Sequence, residues 1–323
     1  MLRYLLITYI LLVALVGCNN EPSNKKITIA TLKGPSAMGM IKMIDSLSNV
    51  ENPTIEISIY NEPVQVRKLM LENEVDFAIL PTTMGAILYN KAIPYQLAAI
   101  PVWGTLYLFG TDSTIRAWSD LKGKRIYLMG KGMTPDVLFK YLMLKNGIDP
   151  DKDVDLDYSF PTHIDLANAV AAEKADLAVI SEPMVSIVMQ KNKNIHALFD
   201  LNTEWQKVHP ETRVAQTAFL VKTSFAKENP EKLIEILKAY KYSTKWVNNN
   251  TDSAAALIVK HHILPTIEVA RESIPRSNLH VEIASDIKPE IYNYLEIFFS
   301  LNPAIIGGKI PDDQFIIEIN TNK

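Results

Sequence analysis

The sequence predicts an α/β protein of two related lobes, each a mainly parallel sheet flanked by helices. Two observations carry this expectation. The first is an internal repeat. Val75-Asp76-Phe77-Ala78-Ile79-Leu80 is matched 100 residues later by Ala175-Asp176-Leu177-Ala178-Val179-Ile180, and Met84 and Ile87 are matched by Met184 and Ile187. The second is the character of the runs Phe77 to Leu80 and Leu177 to Ile180, which are short and apolar throughout. Strands buried on both faces, as in parallel sheets covered by helices, read this way. The 323 residues, 48% hydrophobic and 21% charged, suffice for two domains of ordinary size. A net charge of −3 without a basic stripe argues against a nucleic-acid partner.

Taken in order, the chain opens with Arg3 and a run from Leu5 to Val16 that is apolar except for Thr8 and Tyr9. Such a run falls short of the about 20 residues that span a bilayer but suits the apolar region of an export signal. Leu15-Val16-Gly17-Cys18 resembles the bacterial lipobox. The resemblance implies a lipoprotein signal peptide over 1–17, cut before Cys18, whose thiol then carries a palmitate-type lipid. Cys18 is the single cysteine, so no intramolecular disulfide can form. An ordinary secretory signal or an uncleaved anchor, with a chance cysteine, is the alternative. Residues 18–26 read as the lipidated cysteine and a flexible polar tether.

The folded part begins at Ile27. Ile27 to Leu32 reads as a strand, Lys33-Gly34-Pro35-Ser36 as a turn, and a helical pattern follows. Lys124 to Met129, Gly130 to Pro135 and the helical run Val137 to Leu144 repeat this order. A second strand follows in each half, with Ile55, Ile57 and Ile59 alternating in one and Val154, Leu156 and Tyr158 in the other. Parallel strands joined by crossover helices bind ligands at their carboxyl ends. Here those ends are Lys33 to Ser36, Pro81 to Thr83, Gly130 to Thr134, Ser159 to Thr162 and Ser181 to Pro183. Each precedes a helix whose N-terminal N–H groups favour an anion or polar acceptor. Read singly, each is equally an ordinary helix cap.

Several stretches together resemble the type II periplasmic solute-binding proteins of ABC importers, in the branch that serves nitrate, sulfonates, taurine and thiamine precursors. They are Gly130-Lys131-Gly132 after a strand, Ala171 to Ala178, Ser181-Glu182-Pro183, and Asn302-Pro303 through Gly307-Gly308-Lys309-Ile310-Pro311. Lys174 departs from the pattern, standing where the family usually has glycine. The resemblance implies two lobes joined by a double-crossover hinge. The chain then leaves lobe I near Trp103 to Gly110 and returns near Val214 to Val221. Lobe I is 27–107 plus 218–323, and lobe II is 108–217. Leu233, Ile236, Leu237, Tyr240 and Thr244 place a helix over Glu231 to Val247. Asp252 is expected to cap a second helix running through Val259, and Lys288 to Phe299 to form a third.

No catalytic pattern emerges. His261 and His262 are adjacent and cannot share a helix face. The other histidines are isolated, and no zinc-protease, nucleophile-elbow or Walker motif occurs. The resemblance therefore implies a binding protein, not an enzyme, with no cofactor and no metal.

Lys33 and Lys131 occupy corresponding loops and suit an anionic ligand if both face the cleft; otherwise they are solvated. Trp103 at the hinge packs on a ligand or within the hinge. Glu182 binds a ligand amine or serves the helix it begins. Ser36, Thr82, Thr83, Thr134 and Ser181 are candidate hydroxyl donors, with Gly34, Gly132, Met133 and Thr162 on the same loops. Gln216 and Thr217 lie on the return crossing. The implied function is a lipid-anchored, monomeric receptor on a bacterial membrane, its folded part outside the cytoplasm, that passes a small polar solute to a permease and its ATPase. A sensing or scaffold lipoprotein of the same fold is the alternative.

Overall fold

The computed structural model describes residues 26–319. The expected signal peptide and Cys18 lie outside the described residues, as does all but the last residue of the tether. Eleven strands are assigned: β1 Ile27–Leu32, β2 Ile55–Tyr60, β3 Phe77–Pro81, β4 Tyr95–Trp103, β5 Leu106–Gly110, β6 Arg125–Tyr127, β7 Asp155–Asp157, β8 Leu177–Ser181, β9 His196–Asp200, β10 Ala215–Lys222 and β11 Leu279–Ile283. They form two sheets, of order β11-β4-β10-β3-β1-β2 and β7-β6-β8-β5-β9.

The repeat has a structural counterpart. β1 pairs in parallel with β2 and β3, and β6 in parallel with β7 and β8. Residues 81–90 and 181–190 share one burial pattern, residue for residue. Left-handed backbone also recurs 100 residues apart, at Asn73 (φ 62°) and Glu173 (φ 56°). The second turn therefore takes its left-handed residue one position before Lys174, at the expense of a non-glycine residue in a costly conformation.

Each sheet is mixed rather than mainly parallel. β10 runs antiparallel to β3 and β4, β11 antiparallel to β4, and β5 antiparallel to β8 and β9. β10 and β5 occupy equivalent places beside the third strand of each parallel trio, and each is reached by a crossing from the other sheet. The first crossing lies between Trp103 and Leu106, and the second just before Ala215. Leu106 and Tyr107 already pair with Ser181 and Ile180 in the second sheet, and Ala215 and Thr217 already pair with Trp103 and Val102 in the first.

The continuous apolar run of β3 is explained by burial on both faces. Phe77 and Ile79 join Phe219, Val221, Leu233, Ile236, Leu237 and Tyr240 in one cluster. Ala78 and Leu80 join Leu88, Ile291 and Leu295 in another. Phe77 stacks on Phe219 at 5.2 Å and meets Phe225 edge-on at 5.0 Å. Side chains of this size contribute about 1.5–3 kcal/mol each on full burial. The helix Pro230–Asn249 that covers the first face also fixes the loop after β1, since Tyr240 donates to Ser36 O (3.0 Å) and Ser243 to Gly39 O (2.7 Å).

One local expectation needs correction. The helix Thr251–Lys260 is entered at Asn250, which also ends the preceding helix; Asp252 lies in the first turn and accepts from Arg271 Nε at 2.6 Å. The segment after it, unassigned from sequence, forms the helix Ile267–Arg276, capped by Thr266, and then β11.

Gly110 closes β5 against β8, where an added Cβ would lie 2.2 Å from the backbone oxygen of Asp176. Backbone cannot yield as a side-chain tip can. Gly110→Ala is expected to cost about 1–3 kcal/mol, read as a lower urea midpoint with an unchanged slope.

Candidate ligand cleft

The carboxyl ends of the parallel strands in the two sheets meet. Thr83 starts the helix Thr82–Asn90 after β3, and Thr134 starts the helix Thr134–Lys145 after the β6 loop. Their hydroxyls share a buried hydrogen bond of 2.9 Å. Neither helix has a side-chain cap at its N-terminus, so both bring unsatisfied N–H groups and the positive ends of their dipoles to one place. A second contact joins the sheets at Gly34, whose φ of +119° suits only glycine and whose added Cβ would lie 3.1 Å from Pro183 Cδ. Ser36, behind this turn, is buried.

Thr82 and Thr217 are buried with side-chain oxygens that have no hydrogen-bond partner, and the same holds for Thr31. Gln216 Oε1 is likewise buried and unpartnered. Thr217 pairs with Pro81, immediately before Thr82. Thr31 belongs to β1, which flanks β3 on its other side. Buried hydroxyls left unpaired cost about 1–3 kcal/mol each. Sequence reasoning named Thr82, Thr83, Thr134, Gln216 and Thr217 but missed Thr31. The signal was weak, because Thr31 is one of two threonines in β1.

The other expected residues divide. Lys33 and Lys131 are both exposed, and the Lys131 ammonium lies 5.4 Å over the Tyr158 ring. Gly132 donates its N–H to Asp136 Oδ2 at 2.7 Å, and Met133 is 47% exposed. Thr162 is the N-cap of the helix His163–Ala171, accepting from Asp165 N and donating to its carboxylate, so its hydroxyl is engaged. Ser181 Oγ lies 3.4 Å from His163 Nδ1, and burial pushes this imidazole down to about 4, keeping it neutral.

Trp103 ends β4 at the first crossing. Its Nε1 donates to His280 O at 2.8 Å, and the Arg213 guanidinium stacks 3.7 Å over its ring. Arg213 is bidentate to Glu282 (2.8 and 2.9 Å) and also bonded to Glu290 (2.9 and 2.7 Å). This pairing raises the arginine and holds Glu282 below the usual carboxylate range. Arg213 was not singled out from sequence, because its partners lie 69 and 77 residues away.

Glu182 is 2% exposed. Its carboxylate accepts from Ser186 Oγ at 2.9 Å and from Ser273 Oγ at 3.0 Å, the latter on the helix Ile267–Arg276, while its own N–H donates to Thr105 O at 2.9 Å. It thus ties the second sheet to the crossing and to a helix of the first. Burial pushes its carboxyl up to about 7 against hydrogen bonds that oppose the shift.

The strand ends of the two sheets meet at a cluster of hydroxyls and helix N-termini. Residues 36–261 match the family described as ABC transporter, phosphonate, periplasmic substrate-binding protein. The chain belongs to this family, whose members are solute-binding components of transport systems. It is 24% identical over 252 residues to the Bacillus subtilis protein YtlA, described as a binding protein, covering 75% of this chain and 72% of that one. A crystal structure of an ABC transporter from Parabacteroides distasonis matches with a TM-score of 0.79 and 26% identity over 92% of this chain and 100% of that one. The aliphatic sulphonate binding protein SsuA of Escherichia coli matches at 0.69 and 15% over 93% and 98%. The nitrate-binding protein NrtA of Synechocystis matches at 0.60 and 14% over 88% and 84%. The fold is therefore the type II periplasmic-binding-protein fold.

Linkage gives Glu182 a pH signature. The folded state keeps its proton up to about pH 7, whereas the unfolded chain releases it near 4.5. Its contribution is present below about 4.5 and is lost as pH rises through about 7. Glu182→Gln should therefore gain stability relative to the parent, by up to about 3 kcal/mol between about pH 4 and pH 8. Urea titrations across that range check this, and a pH-independent difference would refute it.

Proposed function

We propose that the protein is the solute receptor of an ABC importer and closes its two sheets on a small oxyanion of the phosphonate or sulfonate class. The observation that carries this reading is the Thr83–Thr134 bond between two uncapped helix N-termini, beside the unpartnered hydroxyls of Thr82 and Thr217. Hydroxyls and N–H groups are donors suited to anionic oxygens. Lys33 and Lys131 are the candidate rim cations, and among the described residues neither is engaged in an ion pair. The activities named for the family and the fold neighbours, phosphonate, sulphonate and nitrate binding, support the same ligand chemistry.

In this reading the chain divides into two hinged lobes that meet at the crossings, and ligand binding draws the threonine-bearing ends together. The receptor acts as a monomer, held to a bacterial membrane outside the cytoplasm by a lipid on Cys18, and hands its solute to a permease. A tether that keeps it near the permease raises their effective concentration.

The test is a thermal-shift series on the soluble form beginning at Asn19, with methylphosphonate, ethanesulfonate, nitrate and sulfate. A ligand present at about 100 times its Kd adds roughly 2.7 kcal/mol of stability. Thr82→Val and Thr83→Val should each weaken the bound oxyanion about tenfold or more. No shift with any oxyanion, or unchanged affinity in both folded variants, overturns the reading. For the anchor, Cys18→Ser should move the expressed protein from the membrane to the soluble fraction and abolish metabolic labelling with a palmitate analogue.

A further inference from the structure

A cavity of about 400 Å³ lies behind the crossings, away from the threonine cluster. Its walls come from three places. Asn202 and Gln206 stand on the helix Leu201–Val208, which follows the second sheet's edge strand β9. Asn248, Asn278 and Leu279 come from the first sheet's side, where β11 is the edge. Trp103 and Arg213 come from the crossings themselves. The threonines, by contrast, lie on β1 and β10 and at the starts of the helices Thr82–Asn90 and Thr134–Lys145. Its volume lies within the about 300–1,000 Å³ range of small-molecule sites.

The lining is selective. Four carboxamides face a space whose charges are already paired: Arg213 with Glu282 and Glu290, and His280 with Glu282 at 3.1 Å. An ionic ligand would find no free counter-charge. Asn248 and Asn278 have spent an amide hydrogen on Leu279 O (2.8 Å) and Gly104 O (2.6 Å), which orients both amides. Asn202 also lines the cavity, but its buried Oδ1 packs against Gly104. Ile274, Pro275 and Leu279 supply an apolar patch on the same wall. Oriented carboxamides beside apolar surface match a neutral molecule with hydroxyls on its edge and C–H groups on its face.

We infer that this cavity is a second ligand site, for a neutral cyclic polyol such as a monosaccharide or inositol, distinct from the oxyanion cleft. The inference does not require the oxyanion reading to be correct, because none of the threonines lines the cavity. Its occupant would touch both sheets and the crossings at once, and would so bear on their relative orientation.

The experiment is protein-detected NMR of the form beginning at Asn19, titrated with D-glucose, D-galactose and myo-inositol. At least one probe should shift the Trp103 indole N–H and the side-chain amides of Asn248 and Asn278. Gln206→Trp, placed at an exposed helix position to fill the cavity mouth, should weaken that probe about tenfold or more. Thr82→Val should leave it unchanged. The proposal is overturned if no probe shifts those signals at concentrations up to tens of millimolar. It is overturned equally if Gln206→Trp binds as the parent does, or if Thr82→Val abolishes the shifts.

Discussion

The interaction on which the architecture turns is the Arg213 clamp at the crossings. Two connections pass between the sheets, one after Trp103 and one before Ala215, and the clamp joins them. Arg213 lies on the Trp103 ring while its guanidinium and backbone N–H reach two carboxylates, Glu282 on β11 and Glu290 on the helix Lys288–Leu301. Without the cation, two carboxylates would share one partly buried site, where like charges repel strongly. A planar donor fork serves both and stacks on an aromatic face as well, which lysine cannot do. The order in which strands enter each sheet follows from these crossings. β4 must end, and β10 begin, where the clamp holds Trp103 and Arg213 together.

Around this fixed point the polar groups are allotted unequally. Behind the crossings, Arg213 is matched to Glu282 and Glu290, and the Asn248 and Asn278 amides are tied to carbonyls. At the meeting of the strand ends, hydroxyls and helix N-termini gather with few partners of their own. Glu182 is one of the satisfied groups. Its oxygens are engaged by Ser186 and Ser273, and its burial makes it a titrating link between the two halves.

Much of this was legible in the chain. The matched runs at Val75 and Ala175 located β3 and β8, because a strand buried on both faces must be apolar at every position. Leu233, Ile236, Leu237 and Tyr240 located the long helix by spacing alone. The loops Lys33 to Ser36, Pro81 to Thr83 and Gly130 to Thr134 were named because strand order puts carboxyl ends together. Other features left no local mark. Thr162 has the same neighbours as a ligand contact would, yet it caps its own helix. β11 is a short edge strand in which His280 and Glu282 flank Val281, and the helix before it holds an internal Pro275. Both weaken the periodic signal.

By itself the sequence determined the two-fold repeat, the identity of the buried strands, and the small polar loops that end them. These follow from local periodicity and from the chemistry of turns. Only the tertiary structure decided which donors meet. Thr83 and Thr134 are 51 residues apart, Glu182 and Ser273 are 91 apart, and Arg213 finds its carboxylates across the crossings. It also decided that β10 and β11 in the first sheet and β5 in the second run antiparallel to the other strands. Strand direction there depends on where the chain crosses, and a crossing is a global property that no window of residues contains.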